Sequence, residues 1–282
     1  MVPIKQTPTR DIYQLGENQI IVFKDTLSVA GKTFPDVQIP YWGCVTAQLT
    51  RLWWHHIFMQ SLAVHPFISA DTLKMPEMFR DHGYLGQSML VHNFQEVSVE
   101  FHVDKYVTES LLGEYQQTGS LFGRKYNNLT LHQDLVVPVI RITEKNSHGE
   151  DVEIGLDALG QKLENPSFAE AMLITASYIY MNNELSAKIN GIVFANLKVQ
   201  FGFDPDGYLA VMNEVFTPST CDIWYIDKVT GEVKDAFSIN AWIKDNIRED
   251  GTLPTVPEEL IQKTSKEYFE FYERLTGKKC VP

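Results

Sequence analysis

The sequence predicts an α+β fold, and two observations carry that prediction. Strict alternation of apolar and polar side chains, as in Val97, Val99, Phe101 and Val103 against Ser98, Glu100, His102 and Asp104, marks strands. Helical spacing, as in Leu260, Thr264, Tyr268, Phe271 and Leu275, marks helices in the same chain. The two kinds of segment follow one another without the regular strand and helix succession that builds a doubly wound parallel sheet. Antiparallel sheets with packed helices are the expected result.

Taken in order, residues 10–23 alternate into the run Ile20-Ile21-Val22-Phe23 around Gly16-Glu17-Asn18, which predicts an opening hairpin. A loop rich in Gly and Pro follows Asp25 and ends at Trp42-Gly43. Val45, Leu49, Leu52, Ile57 and Leu62 then recur at near-helical spacing beside Trp53 and Trp54, so residues 45–63 are expected to form a helix packed on the first sheet. Strands are expected over residues 88–107, with Asp104 on their polar face. Thr108-Glu109-Ser110-Leu111-Leu112-Gly113 is nearly repeated at Thr118-Gly119-Ser120-Leu121-Phe122-Gly123, one short copy that makes no solenoid. Pro166 to Ile189 predicts a buried helix of about six turns capped by Gly191. The last helix opens at Pro257 and ends before Gly277. A change of pattern near residues 85–95 divides the chain into an N-terminal lobe, 1–90, and a larger one, 91–282.

The richest segment is Lys198-Val199-Gln200-Phe201-Gly202-Phe203-Asp204-Pro205-Asp206-Gly207, continuing through Met212-Asn213-Glu214 to Trp224. Asp-Pro-Asp-Gly is turn chemistry, because Pro presets φ and Gly accepts a positive one. If Phe203 pairs with Tyr208, Lys198 lies across from Asn213, and Lys198, Gln200 and Asn213 share one face. That patch is either a site or a solvated sheet face.

With 282 residues, 44% of them hydrophobic, the chain can bury a large core. Its net charge of −12 disfavours nucleic acid and anionic membrane surfaces, which need clustered Lys and Arg. Cys44, Cys221 and Cys280 are odd in number and share no C-x-x-C spacing, so neither a disulfide framework nor a zinc site is expected. That usage, with no apolar signal core and no spanning segment, fits a cytoplasmic protein. Neither of the common phosphate-binding glycine loops occurs, nor a nucleophile elbow or an H-E-x-x-H motif. His55 and His56 point about 100° apart on a helix and cannot face one metal.

Several segments together resemble the SAICAR synthetase family. Thr9-Arg10-Asp11-Ile12-Tyr13 is similar to the end of its GKxRDxY motif, and Asp25-Thr26-Leu27-Ser28-Val29-Ala30 to its DRISAxD loop. Gly43 to Trp54 resembles KGxxLTxLSxFWF, and Tyr106 to Leu111 resembles YxTGSL. Lys145 with Asp151 resembles TKxxxxHDE, the Lys198 hairpin resembles DTKFEFG…DExxTPDSSRxW, and Tyr268 to Gly277 resembles the closing helix. The resemblance implies a two-lobed fold with an ATP cleft between the lobes, and an ATP-dependent ligase that makes an amide through an acyl phosphate, with magnesium. It implies Lys198 at the reacting acid, Arg10 and Ser28 near ATP, and Ser110, Lys145 and Asp151 at the substrate. Its partners would be a small-molecule substrate and an amino acid, in a monomer or homodimer.

This chain departs from the family where the chemistry lies. Thr7 and Pro8 stand where the family has Gly and its first Lys, and the metal-binding acids are Gln200 and Asn213, which leaves a weakened metal site. Glu214 is kept and is expected to face away. Two phosphate-binding arginines become Asp104 and Asp222, so repulsion replaces attraction for a ribose phosphate and a neutral or cationic substrate is favoured. The alternatives are a catalytically degraded paralogue acting as a binding or scaffold protein, and a kinase-like phosphotransferase, which would need a metal-binding acid that the pattern does not offer.

Overall fold

Two five-stranded antiparallel sheets set the architecture of the computed structural model, which describes residues 1–29, 31–81, 84–147 and 150–281. Ala30, at the end of the Asp25 segment, lies outside the described residues. The first sheet runs in the order Lys5–Gln6, Arg10–Leu15, Asn18–Phe23, Ser88–His92, Phe67–Ser69. Its opening hairpin pairs Arg10 with Phe23 and Leu15 with Asn18. Ile20 and Val22 pack with Tyr13 and Phe79 on one side, while Ile21 and Phe23 join the main core on the other. Both faces are covered, which is why this strand reads as a continuous apolar run.

The second sheet runs Asp151–Ile154, Asp134–Lys145, Gln95–Tyr106, Asn196–Phe203, Leu209–Val211. Val97, Val99, Phe101 and Val103 are buried on its inner face, as their alternation requires. Asp104 keeps to the polar face with His102, but it is not exposed there. It is buried, because Arg141 on the neighbouring strand covers it. A three-stranded sheet of Ile192–Phe194, Ile223–Ile226 and Val233–Asp235 and a hairpin of Thr26–Val29 with Lys32–Gln38 complete the strands relevant to the site.

The Trp-rich helix spans Trp42–Met59, starting three residues before the expected 45. The Asp25 carboxylate explains the start, accepting from the Gly43 N–H at 2.9 Å and the Tyr41 N–H at 3.3 Å. A Cβ at Gly43 would stand 2.5 Å from the Phe23 carbonyl oxygen, so only glycine allows this approach. The helix Pro166–Ile189 begins on Asn165, whose side chain accepts from the Ser167 N–H. It is not fully buried as expected. Ala169, Met172, Ala176 and Tyr180 face the core, while Ile174, Tyr178, Met181 and Leu185 are exposed. The helix Glu258–Thr276 ends at Gly277, whose φ is 69° and whose N–H donates to the Glu273 carbonyl. One apolar cluster runs from Phe23 and Trp54 through Phe101 to Tyr268, joining the two sheets.

The Asp204 hairpin corrects the expected register. Phe203 pairs with Leu209, not Tyr208, and Phe201 pairs with Val211. The turn is one residue longer because the Asp204 carboxylate accepts from the Asp206 and Tyr208 N–H groups. Pairing ends at Val211, so Asn213 lies beyond the ladder.

Candidate active site

Lys198 and Gln200 sit on the face of their strand opposite Leu197, Val199 and Phe201, which are fully buried. Cross-strand pairing extends each into a polar row: Lys198 beside His102 and Arg141, Gln200 beside Glu100 and Thr143. The face opens into a cleft of about 240 Å³. Thr9 and Arg10 reach it from the opening hairpin, Ser28, Gly31 and Thr33 from the small hairpin, Lys145 and Asp151 from the second sheet, and Asn213 and Glu214 from the segment after its last strand. Seven residues named from the sequence thus share one cleft: Arg10, Ser28, Lys145, Asp151, Lys198, Gln200 and Asn213.

Individual contacts decide what each can do. A Cβ at Gly31, where φ is +70°, would lie 3.2 Å from the Lys198 Nζ, so this glycine leaves room for the ammonium. Among the described residues Lys198 makes no ion pair within 4.0 Å, whereas Lys145 is paired with Asp151 at 2.7 Å. The Asn213 Oδ1 accepts from the Gln200 N–H at 2.9 Å, and its Nδ2 donates to the Lys198 carbonyl at 3.2 Å. It is held from behind by the Trp54 indole N–H, which donates to the Asn213 carbonyl. Asn213 therefore braces the strand end and does not stand across from Lys198.

Glu214 is a second correction. Expected to face away, it lines the cleft, because the alternation that placed it outward stops at Val211. Burial pushes its pKa up, opposed by the Arg10 charge and a hydrogen bond with Ser219. His102 carried no expectation. Burial, then Lys198 and Arg141, push its pKa down to about 3, so a neutral imidazole sits beside Lys198 with Nε2 2.9 Å from the Thr143 hydroxyl. Its place on the polar face of the Val97–Val103 alternation is the signal that could have found it.

The remaining expected residues divide. Ser110 and Asp222 line a separate pocket of about 640 Å³, with Trp224, His132, Asp235 and Asn240. Val29, Lys32 and Phe34 wall this pocket while Ser28, Gly31 and Thr33 wall the cleft, so the small hairpin stands between them. Asp104 enters neither. Its carboxylate takes the Arg141 Nε and Nη2 at 3.0 and 2.8 Å, and this pair removes it from the expected substrate contact. A further cavity of about 1040 Å³ lies among Asp11, Lys24, Asp25, Tyr41, Cys44 and Gln87 and holds none of the expected residues. Lys24 is spent there on Asp11 at 2.7 Å. The volume is larger, but Lys198 and Arg10, which make no ion pair within 4.0 Å among the described residues, face the smaller cleft.

The cleft carries three cations, Arg10, Lys145 and Lys198, and three acids, Glu100, Asp151 and Glu214, of which Asp151 is paired with Lys145. Arg10 and Lys198 supply charge, and Thr9, Ser28 and Thr33 supply hydroxyls. Among the described residues no three His, Cys, Asp or Glu side chains are grouped to hold a cation, and the amide oxygen of Asn213 is already hydrogen-bonded.

Residues 4–255 match the SAICAR synthetase family. The chain is 28% identical over 278 residues to the phosphoribosylaminoimidazole-succinocarboxamide synthase of Syntrophobacter fumaroxidans, covering 95% of this chain and 90% of that protein. In structure it is similar to a SAICAR synthase from Saccharomyces cerevisiae complexed with SAICAR, at TM-score 0.81 and 23% identity, over 99% of this chain and 95% of that one. A SAICAR synthetase in complex with ADP gives TM-score 0.70 at 20% identity, over 99% of both chains. The α+β fold is the fold of these proteins.

Proposed function

Because the chain belongs to the SAICAR synthetase family of ATP-dependent ligases, we propose that it joins a carboxylic acid to an amine as an amide through an acyl phosphate. The observation that carries this reading is the position of Lys198. Its ammonium lies under Gly31, at the hairpin that separates the cleft it shares with Arg10 from a pocket suited to a small molecule.

In this scheme ATP supplies the phosphoryl group that makes the acid reactive. Arg10 and the hydroxyls of Ser28 and Thr33 hold the phosphates, and Lys198 orients the acid's carboxylate toward them. A carboxylate oxygen bonds to the terminal phosphorus as the bond to the ADP oxygen breaks. The amine nitrogen then bonds to the acyl carbon, phosphate leaves, and the nitrogen gives up a proton. Arg10 and Lys198 offset the charge that builds during transfer. His102, neutral, adds no second positive charge beside Lys198. No step is assigned to a magnesium ion held by Gln200 and Asn213, since the Asn213 oxygen serves the backbone.

The test is nucleotide binding followed by turnover. Millimolar ATP should raise the melting temperature, and ADP should appear when a suitable acid and amine are both present. No thermal shift with ATP, with or without magnesium, would remove the ligase reading. The committed Asn213 side chain favours a second reading, a binding protein without turnover, which requires that no acid and amine pair releases ADP.

A further inference from the structure

The pocket beyond the small hairpin is built of acceptors. Asp222, just before the strand Ile223–Ile226, lines the pocket with Trp224, and Asp235 pairs directly with Trp224. The Asp222 Oδ2 accepts from the Asn196 amide at 2.9 Å, a neutral partner, and among the described residues Asp222 makes no ion pair within 4.0 Å. Burial pushes its pKa up, and the nearby Asp235 and Asp104 charges push it further, while the Asn196 amide and the Lys198 charge oppose. Asn240 also lines the pocket, with an Oδ1 that is buried and has no hydrogen-bond partner.

The cations do not reverse this. Lys244 is paired with Glu109 at 2.6 Å, and Lys32 is exposed at the rim. A phosphate entering here would meet the Asp222 and Asp235 carboxylates, with the Thr108 and Ser110 hydroxyls as uncharged donors. An amidinium or ammonium would meet the Asp222 and Asp235 carboxylates, neither held in an ion pair within 4.0 Å among the described residues, and an indole whose edge-to-face partner His132 lies 4.4 Å away.

We propose that this pocket takes a positively charged, N–H-donating group, the far end of the acid substrate, and rejects phosphate esters. Only the identification of the ligand as the acid substrate rests on the ligase reading. The selection of cation over phosphate rests on the pocket itself.

Isothermal titration with benzamidine, an aromatic amidinium, and with ribose 5-phosphate tests the selection. The intact chain should bind benzamidine saturably and ribose 5-phosphate at least about tenfold more weakly. Asp222→Asn and Asp235→Asn should each weaken benzamidine by roughly tenfold while the melting temperature stays within a few degrees. Asp222→Arg should gain ribose 5-phosphate binding. Ribose 5-phosphate binding as tightly as benzamidine would overturn the proposal, as would benzamidine affinity unchanged in both the Asn variants or no benzamidine binding at all. The ATP melting shift on the same preparation keeps the two readings apart. A shift without benzamidine binding sinks the pocket assignment alone, and benzamidine binding without a shift sinks the ligase reading alone.

Discussion

His102 makes a pH dependence that can be worked out in advance. Its pKa falls from 6.5 to about 3 in the folded protein, chiefly through burial and then through Lys198 and Arg141, with Asp151 opposing. Unfolded, the imidazole takes a proton near 6.5. Between the two values the unfolded chain binds more protons, so stability is complete above 6.5, declines as pH falls, and stops declining near 3. At about 1.4 kcal/mol per unit, the roughly 1.5 units between 6.5 and pH 5 cost about 2 kcal/mol. The side chain is only 14% exposed, so solvent screening does not erase this. Asp104, Asp222 and Glu214, with raised pKa values, act in the opposite sense, and His65 and His132 in the same one. The measurement is therefore a difference. Urea unfolding of the wild type and of His102→Gln at pH 8 and pH 5 should show the wild type losing about 2 kcal/mol more than the variant. Equal losses would refute the claim that His102 is neutral when folded.

Further expectations rest on single contacts. Lys198→Ala should fold normally, with an unchanged urea midpoint, and lose about a hundredfold or more in amide formation measured by ADP release. Gly31→Val places a branched side chain at φ +70° against the Lys198 Nζ, and should lower turnover together with a stability loss of about 1 kcal/mol or more. Arg141→Ala strands the buried Asp104 carboxylate and should cost about 3–5 kcal/mol in urea unfolding, most of it recovered when Asp104→Asn is added. Gln200→Glu combined with Asn213→Asp puts two acids into the cleft, and magnesium should then raise the melting temperature more than it does for the wild type.

What could be read from the sequence was what local periodicity controls. The alternation around Lys198 and Gln200 placed both on one face, and the spacing from Pro166 and from Glu258 located two helices. Contacts between distant residues were not legible in this way. The start of the Trp-rich helix depends on an Asp25 carboxylate far from it in the chain. The fate of Asp104 depends on Arg141, 37 residues later, and the space around Lys198 depends on Gly31. Cys44 and Cys280 share no spacing signal in the sequence, yet the fold brings them near one another, and the Cys280 side chain pushes the Cys44 thiol down.

The two errors near Asn213 share one cause, and it bears on the chemistry. Alternation holds only while a strand is paired, and the longer Asp204 turn ends the pairing at Val211. From there the chain is positioned by Trp54 and by the Asn213 side chain, and Glu214 turns inward toward Arg10. A carboxylate at 213 could accept from the Gln200 N–H as Asn213 does, but it could not donate to the Lys198 carbonyl. The amide that removes charge from a metal site is thus the same group that ties the Lys198 strand to the segment carrying Glu214. An acid there would gain affinity for a cation and lose the brace behind Lys198. The Asn213→Asp change should therefore tighten metal binding and loosen the strand end in one step.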